Sequence, residues 1–267
     1  MTAPELILVV PCYNEARRLR PDVFLEFART HAGVGFIFVD DGSVDGTMTV
    51  LECMAQESPA GIRAMRLPTN RGKAEAVRRG LIDAMAERPA LVGFWDADLS
   101  TPLTAVGDFL SVAAKLPSVE LILGSRVMLM GRDIRRKASR HYLGRVFATA
   151  ASLALDLPVY DTQCGAKVFR ANDALRRVLG EPFRSRWVFD VEILARYLRL
   201  PVDDGGAPRA SRIYELTVPA WRDVPGSKLK AFDFIRAIAE LTAIWRERRS
   251  ARIADVLQPT GRAGRLR

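Results

Sequence analysis

Asp96 and Asp98 stand one residue apart in WDADLSTP, directly after a hydrophobic run. At a strand end both carboxylates would emerge together, and two hard oxygen ligands with open positions suit Mg²⁺ or Mn²⁺, which could bridge them to a diphosphate. Asp-x-Asp alone is common, and a capping Asp in a turn is its ordinary meaning. Here it has company. Asp40 and Asp41 close the run FIFV, where a strand-end carboxylate can accept from a base N–H or a ribose hydroxyl; DDGSVDGT then supplies turn glycines and Asp45 or Thr47 as a helix cap. In PTNRGKAEAVRRG, Gly72 permits close backbone approach, and Lys73 stands at a helix start, where N–H groups and a cation could hold a phosphate. A solvent-facing lysine is the competing reading there. Asp41, Ser43, Asp45, Gly46 and Glu52 nearly match a calcium-loop spacing, but that motif needs a helix upstream and GFIFV reads as a strand. The dinucleotide pattern G-x-G-x-x-G is missing.

To act together these groups must reach one edge of the molecule. Leu6–Val10, Phe36–Val39, Ala64–Leu67 and Leu91–Phe94 are short apolar runs, separated by helical periodicity at Val23–His31, Thr47–Gln56 and Lys73–Glu87. The alternation predicts an α/β domain: a doubly wound, mostly parallel sheet flanked by helices, with ligands outside the carboxyl ends of the strands. The loops following those runs are PCYNE, DDGSVDGT, PTNRGK and WDADLSTP, and three of the four carry carboxylates. Beyond residue 125 the pattern loosens to a strand at Leu121–Leu123, a basic helix, a loop at Tyr160–Gly165, a strand at Ala166–Phe169, helices near Asn172–Leu179 and Val188–Leu198, and a strand at Tyr214–Val218. A last amphipathic helix, about Leu229–Arg246, aligns Ala231, Phe234, Ile235, Ile238, Leu241 and Trp245. Such a stripe ordinarily packs on its own core; the rarer alternative is a membrane interface.

Composition bounds the rest. With 49% hydrophobic and 27% charged residues in 267, disorder and collagen are excluded, and a chain this long buries roughly 70–75% of its unfolded surface without help. Cys12, Cys53 and Cys164 are odd in number and widely spaced, which argues against a structural zinc site or disulfide framework and for a reducing cytoplasm. The opening MTAPELILVVPCYNE lacks a basic n-region, and the run Val146–Leu155 is too short to span a bilayer. Forty Lys+Arg against 31 Asp+Glu leave +9, concentrated at Arg126–Arg145 and Arg246–Arg267. Localised positive charge points to an anionic partner at one surface. Nucleic acid is a poor candidate, because acids gathered at strand ends would repel it and no binding motif is present.

With VVPCYNE, VDDGSVDGT, NRGK and DADLSTP in this order and spacing, the first 125 residues closely resemble glycosyltransferase family 2, the inverting GT-A enzymes that use nucleotide-sugar donors. GSR at 124–126, SR at 139–140, DTQCGAKVF at 161–169, RWVFDVE at 186–192 and WRDVPGSK at 221–228 look like the dolichyl- or polyprenyl-phosphate sugar synthases, most similar to the dolichyl-phosphate β-glucosyltransferase branch. The resemblance implies a single GT-A catalytic domain over residues 1–228, with a nucleotide-sugar half (1–125) and an acceptor half (126–228), followed by an amphipathic helix and basic tail (229–267). It implies that Pro11, Tyr13, Glu15 and Asp40 line the base and ribose pocket, with Asp41 beside them. Lys73, Arg222 and Lys228 would neutralise the diphosphate, and Asp96 and Asp98 match the metal motif. Ser100 stands where mannosyl-transferring relatives usually carry Gln, so water is expected in the metal shell. Arg126 and Arg140 fall where the family grips the acceptor phosphate, with Gln163 and Lys167 on the acceptor-side loop. Asp98, Asp161, Arg222 and Lys228 are the residues this places in catalysis.

The chemistry agrees. Displacing a nucleoside diphosphate builds negative charge on the leaving oxygens, which a metal and preorganised cations stabilise. A phosphate acceptor, with a second pKa near 6, is already mostly ionised, so its difficulty is repulsion, which guanidinium forks at Arg126 and Arg140 would relieve. A hydroxyl acceptor would instead need a carboxylate base, for which Asp161 and Asp190 are the candidates; Asp190 could equally cap a helix start. His31, His141 and Cys164 fit no ligand or triad spacing. The expectation is transfer of glucose from UDP-glucose to a polyprenyl phosphate, by a protein peripheral at the cytoplasmic face of the membrane. Its rivals are a family-2 transferase with a soluble hydroxyl acceptor, a GDP-mannose-dependent mannose synthase, and a sugar nucleotidyltransferase, whose Gly-rich opening loop PCYNEARRL lacks.

Overall fold

A computed structural model of the chain describes residues 4–135, 138–186, 188–202, 206–224, 237 and 239–246, apart from the side chains of 138–141. The apolar runs become β1 (Leu6–Cys12), β2 (Val34–Asp40), β3 (Ile62–Arg66) and β4 (Leu91–Trp95), and the periodic stretches become α1 (Pro21–Thr30), α2 (Thr47–Glu57) and α3 (Lys73–Ala86). Each strand is parallel to its neighbours in this half. β1 lies between β2 and β4, so the chain winds outward from it in both directions. The crevice at that reversal is where open α/β sheets hold ligands, and it opens between the loops after β1 and β4.

The sheet continues through β7 (Ala166–Arg170), β5 (Leu121–Ser125) and β8 (Ile213–Thr217) in the order β3-β2-β1-β4-β7-β5-β8. β7 runs antiparallel to β4 and β5, which brings the start of β7 beside the end of β4. Alternate strand residues feed two cores. Ile7, Val9, Ile37 and Val39 pack with Val77 and Leu81 of α3 on one face; Leu8, Val10, Phe36 and Phe38 pack with Phe24 and Phe109 on the other. The second face is aromatic, with Phe24 edge-on to Phe36 and Phe38 at 5.5 and 4.9 Å between ring centres.

The chain departs from expectation in three places, all beyond β4. Helix α4 (Val106–Lys115) follows the Asp-x-Asp loop and was not anticipated. The basic stretch does not begin as a helix: residues 126–132 form a loop, β6 (Asp133–Arg135) follows, and only then comes α5 (Ala138–Leu155). β6 pairs with another unforeseen strand, β9 (Ala220–Arg222). Three-residue strands carry too little periodicity to announce themselves. Helices α6 (Asp173–Leu179) and α7 (Phe189–Leu198) lie where expected. Residues 239–246 are helical, with Ala237, Leu241 and Ile244 buried in the core and Trp245 exposed, so the inward stripe is rotated from the one expected and Trp245 is off it. Ala231, Phe234, Ile235 and Ile238 lie outside the described residues.

Candidate active site

The first two loops are laced together. Asn14, at φ +51, receives a hydrogen bond from Val44 N on its Oδ1 and donates its own N–H to Ser43 Oγ at 2.9 Å. Glu15 N donates to Thr47 Oγ1 at 2.8 Å, so Thr47 holds the first loop rather than capping α2. Pro11, Tyr13 and Glu15 thus flank the crevice. Asp40 presents no surface of its own: it is fully buried, its Oδ1 accepts from Ser43 N and its Oδ2 faces Arg66 Nε at 3.5 Å. Asp41, also buried, accepts the backbone N–H groups of Arg71 and Gly72, each at 2.7 Å. Burial raises the Asp41 pKa, against the pull of those two N–H groups. Instead of facing a ligand, as expected from sequence, both strand-end acids shape the crevice floor; Asp41 does so by fixing the turn at Gly72, whose φ of +92 suits glycine.

That turn delivers Lys73 to the start of α3, with its Nζ on Asp96 Oδ1 at 2.5 Å. Partial burial would lower the Lys73 pKa, but the carboxylates of Asp96, Asp190 and Asp98 outweigh it and the net shift is upward. Asp96 and Asp98 sit in a sharp turn with Leu99 at φ +53, their side chains 31% and 25% exposed. Asp98 Oδ1 accepts from Ser100 N, while its Oδ2 lies 3.7 Å from Arg18, which also pairs with Glu15 at 3.3 Å. Arg18 thereby joins the base-side loop to the Asp-x-Asp turn; one arginine in EARRL carries no spacing signal. Two half-open carboxylates fit a hard divalent cation. No cluster of three His, Cys, Asp or Glu gathers for a metal among the described residues, so the remaining positions suit water and phosphate oxygens, the usual Mg²⁺ arrangement.

Two neighbours fix this turn. Asp96 N donates to Gly165 O at 2.9 Å, and a Cβ on Gly165 would lie 1.8 Å from Asp96 Oδ2. From the other side, Arg222 N in β9 donates to Ser100 O at 3.0 Å, so the strand the sequence did not reveal is what brings Arg222 to the site. The Arg222 guanidinium is exposed and pairs with Asp133 at 2.9 Å. Lys228 lies outside the described residues.

The acceptor side differs most from expectation. The Arg126 fork is not open: Nε and Nη2 both hold Asp161, at 2.6 and 2.8 Å, and the guanidinium lies over Trp221. Burial would raise the Asp161 pKa, but Arg126 outweighs it and keeps the carboxyl well below the usual range. Asp161 is therefore a positioning group for Arg126 and a poor proton acceptor. Lys167 is 1% exposed, with its Nζ 2.6 Å from both Cys164 O and Asp190 Oδ1; it stabilises the DTQCG loop from within and cannot meet a phosphate directly. Asp190 is accordingly an ion-pair partner and no cap, and Ser185 Oγ accepts the N–H of Val188, the residue just before α7. Gln163 lines a small cavity with Arg126, Arg145, Tyr160 and residues of α5, and the Arg145 guanidinium stacks on Tyr160 at 3.6 Å. Arg140 starts α5, but its side chain is outside those described. Cys164 is buried and burial pushes its thiol up, as befits packing.

The Arg126–Asp161 pair makes a stability prediction. Asp161→Asn leaves a guanidinium buried without its counterion and is expected to lower stability by about 3 kcal/mol at pH 7. Because the folded carboxyl titrates below its ordinary value of about 4, the contribution is complete above that pH and disappears as pH falls towards the folded value. In urea unfolding the gap between wild type and variant should stay constant from pH 5 to 8 and narrow below about pH 4; a gap that widens in acid would contradict the pairing.

A doubly wound sheet with an Asp-x-Asp turn at its switch point and a lysine-bearing helix start beside it defines a glycosyltransferase of GT-A architecture. The glycosyl transferase family 2 model matches residues 7–176, and the chain belongs to that family. It is 31% identical over 242 residues to the dolichyl-phosphate beta-glucosyltransferase of Dictyostelium discoideum, covering 85% of this chain and 69% of that one. With the Drosophila melanogaster protein of the same name it shares 31% over 266 residues, covering 90% and 74%. Glucosyl-3-phosphoglycerate synthase from Mycobacterium tuberculosis, crystallised with Mn²⁺, UDP-glucose and phosphoglyceric acid, superposes with a TM-score of 0.59 at 21% identity over 91% of this chain and 80% of that one, a likeness of fold. Among the described residues no helix is long and apolar enough to cross a membrane.

Proposed function

We propose that this chain transfers glucose from UDP-glucose to a polyprenyl phosphate, with inversion, giving a polyprenyl-phosphate β-glucose. One observation carries the choice of acceptor: both carboxylates that could deprotonate a hydroxyl are held by buried cations, Asp161 by Arg126 and Asp190 by Lys167. A site whose two candidate bases are both paired suits a nucleophile that arrives ionised, as a phosphate monoester does. The names of the relatives above support the same acceptor class. Lys73 and Arg222 would meet the diphosphate, and Mg²⁺ or Mn²⁺ at Asp96 and Asp98 would supply further charge neutralisation for the leaving nucleotide. On the acceptor side Arg145 and the outer Nη edge of Arg126 offset repulsion between the two phosphates. The work is peripheral to the membrane, at its cytoplasmic face.

Purified protein given labelled UDP-glucose, Mn²⁺ and a prenyl phosphate should move label into the organic phase, and EDTA should stop it. Label that stays aqueous with prenyl phosphate but reaches a soluble hydroxyl acceptor overturns the proposal, and transfer from GDP-mannose in preference replaces the donor. Thermal stabilisation by UDP with Mn²⁺ should exceed that by GDP, because a nucleotide at 100 times its Kd adds about 2.7 kcal/mol.

A further inference from the structure

Between Ile134 and Leu155 the chain contains no acidic residue. One side of α5 is core, with Phe147, Ala151, Ala154 and Leu155 buried. The other side is apolar as well: Tyr142, Leu143, Val146 and Leu153 project outward, Val146 at 61% and Leu153 at 75% exposure. Among the described side chains from Tyr142 onward the outward face carries no charge that points into water. Thr149 Oγ1 donates to the Arg145 carbonyl, Ser152 Oγ donates to the Leu157 carbonyl, and Arg145 lies flat on Tyr160. A helix that faces water ordinarily carries its charges on that side. The loop leading from β5 towards α5 repeats the feature, exposing Met128, Leu129 and Met130 in succession.

We propose that the Met128–Met130 loop and the outward face of α5 form a surface that seats on an anionic lipid bilayer. Charge selects this occupant. Residues 126–145 hold seven Lys/Arg against one acid in sequence, and Arg132 and Arg135, just beyond the Met128–Met130 loop, are exposed, a charge balance that matches anionic headgroups, while the apolar groups enter the acyl boundary. Position gives the contact a consequence. Gly144, Phe147 and Ala148 of the same helix line the cavity that holds Arg126, Arg145 and Gln163, so the lipid-facing stripe and that cavity share one helix. Seating α5 on the membrane would hold the cavity at the level where a lipid-borne phosphate lies. The inference deepens the acceptor reading above, and only one arm of its test rests on that reading.

The full chain should sediment with vesicles of equal phosphatidylcholine and phosphatidylglycerol, less so in high salt, and not with phosphatidylcholine alone. The triple variant Met130→Glu/Leu143→Glu/Val146→Glu, which changes exposed side chains and should keep the wild-type melting temperature, is expected to bind those vesicles about tenfold more weakly or worse. It should glucosylate a short, water-soluble prenyl phosphate as well as wild type does, and lose activity only on a long-chain prenyl phosphate embedded in vesicles. Wild type that stays in the supernatant, or a folded triple variant that sediments as well as wild type, overturns the proposal. A wild-type dimer that the variant converts to a monomer, with no vesicle binding, assigns the face to a second copy and overturns it equally. If neither form glucosylates the short acceptor, the acceptor reading fails, and the vesicle arm alone decides this surface.

Discussion

Asp98→Ala is expected to reduce glucosyl transfer by about a thousandfold while leaving the fold intact, because it removes a charge at the point where the leaving nucleotide gathers its own. Asp98→Asn makes the result decisive. The Asp98 carboxylate also accepts the Ser100 N–H, so a turn-capping role competes with a charge role. An asparagine retains the acceptor for that N–H and loses only the charge. If capping were the whole task, Asp98→Asn would recover most of the activity; the charge reading has it fail as Ala does, with UDP no longer stabilised by Mn²⁺. Initial rates of label transfer, with circular dichroism to verify folding, separate the two. Either variant within tenfold of wild type would remove Asp98 from the chemistry.

The second large effect is expected at a residue with no functional group. Gly165→Ala puts a methyl where the Asp96 carboxylate now lies, 1.8 Å from Oδ2 and 2.1 Å from Cγ. Gly165 does not have a positive φ, so alanine is not opposed by the backbone and the cost is the collision itself. Aspartate has a short stem, and it can escape only by turning away from Lys73 or by moving the Asp-x-Asp turn. Transfer should fall by about a hundredfold, largely in kcat, since a small misplacement of a charged group at the reacting centre is costly. Gly107→Ala in α4 is the control: its Cβ would meet nothing within 4 Å, and it should leave activity unchanged. Comparable activity in the two glycine variants would mean that Asp96 need not sit where it does.

Much of this site is legible in the chain because local rules govern it. The apolar runs end on polar loops, and each run became a strand whose carboxyl end carries those loops: Cys12 precedes Tyr13, Asp40 precedes Asp41, and Trp95 precedes Asp96. Lys73 stands at the first position of α3, as the residues around Gly72 imply. What misled was pairing between distant segments. Arg126 and Lys167 look like free cations in sequence, yet they meet Asp161 and Asp190, and neither partner is marked by spacing. Asp40 and Asp41 look like ligand contacts and are buried under their own loops.

By itself the amino-acid order determined the alternating architecture, the family and the Asp-x-Asp turn, since hydrophobic period, turn residues and short motifs act within a few residues of one another. Only the tertiary structure decided which charges remain available. That depends on the reversed strand β7, which holds its Lys167, and Gly165 just ahead of it, against the end of β4, and on β9, which sets Arg222 beside Ser100. A buried charge takes whatever counterion the fold brings within reach, whatever the sequence separation, because the desolvation penalty leaves it no alternative.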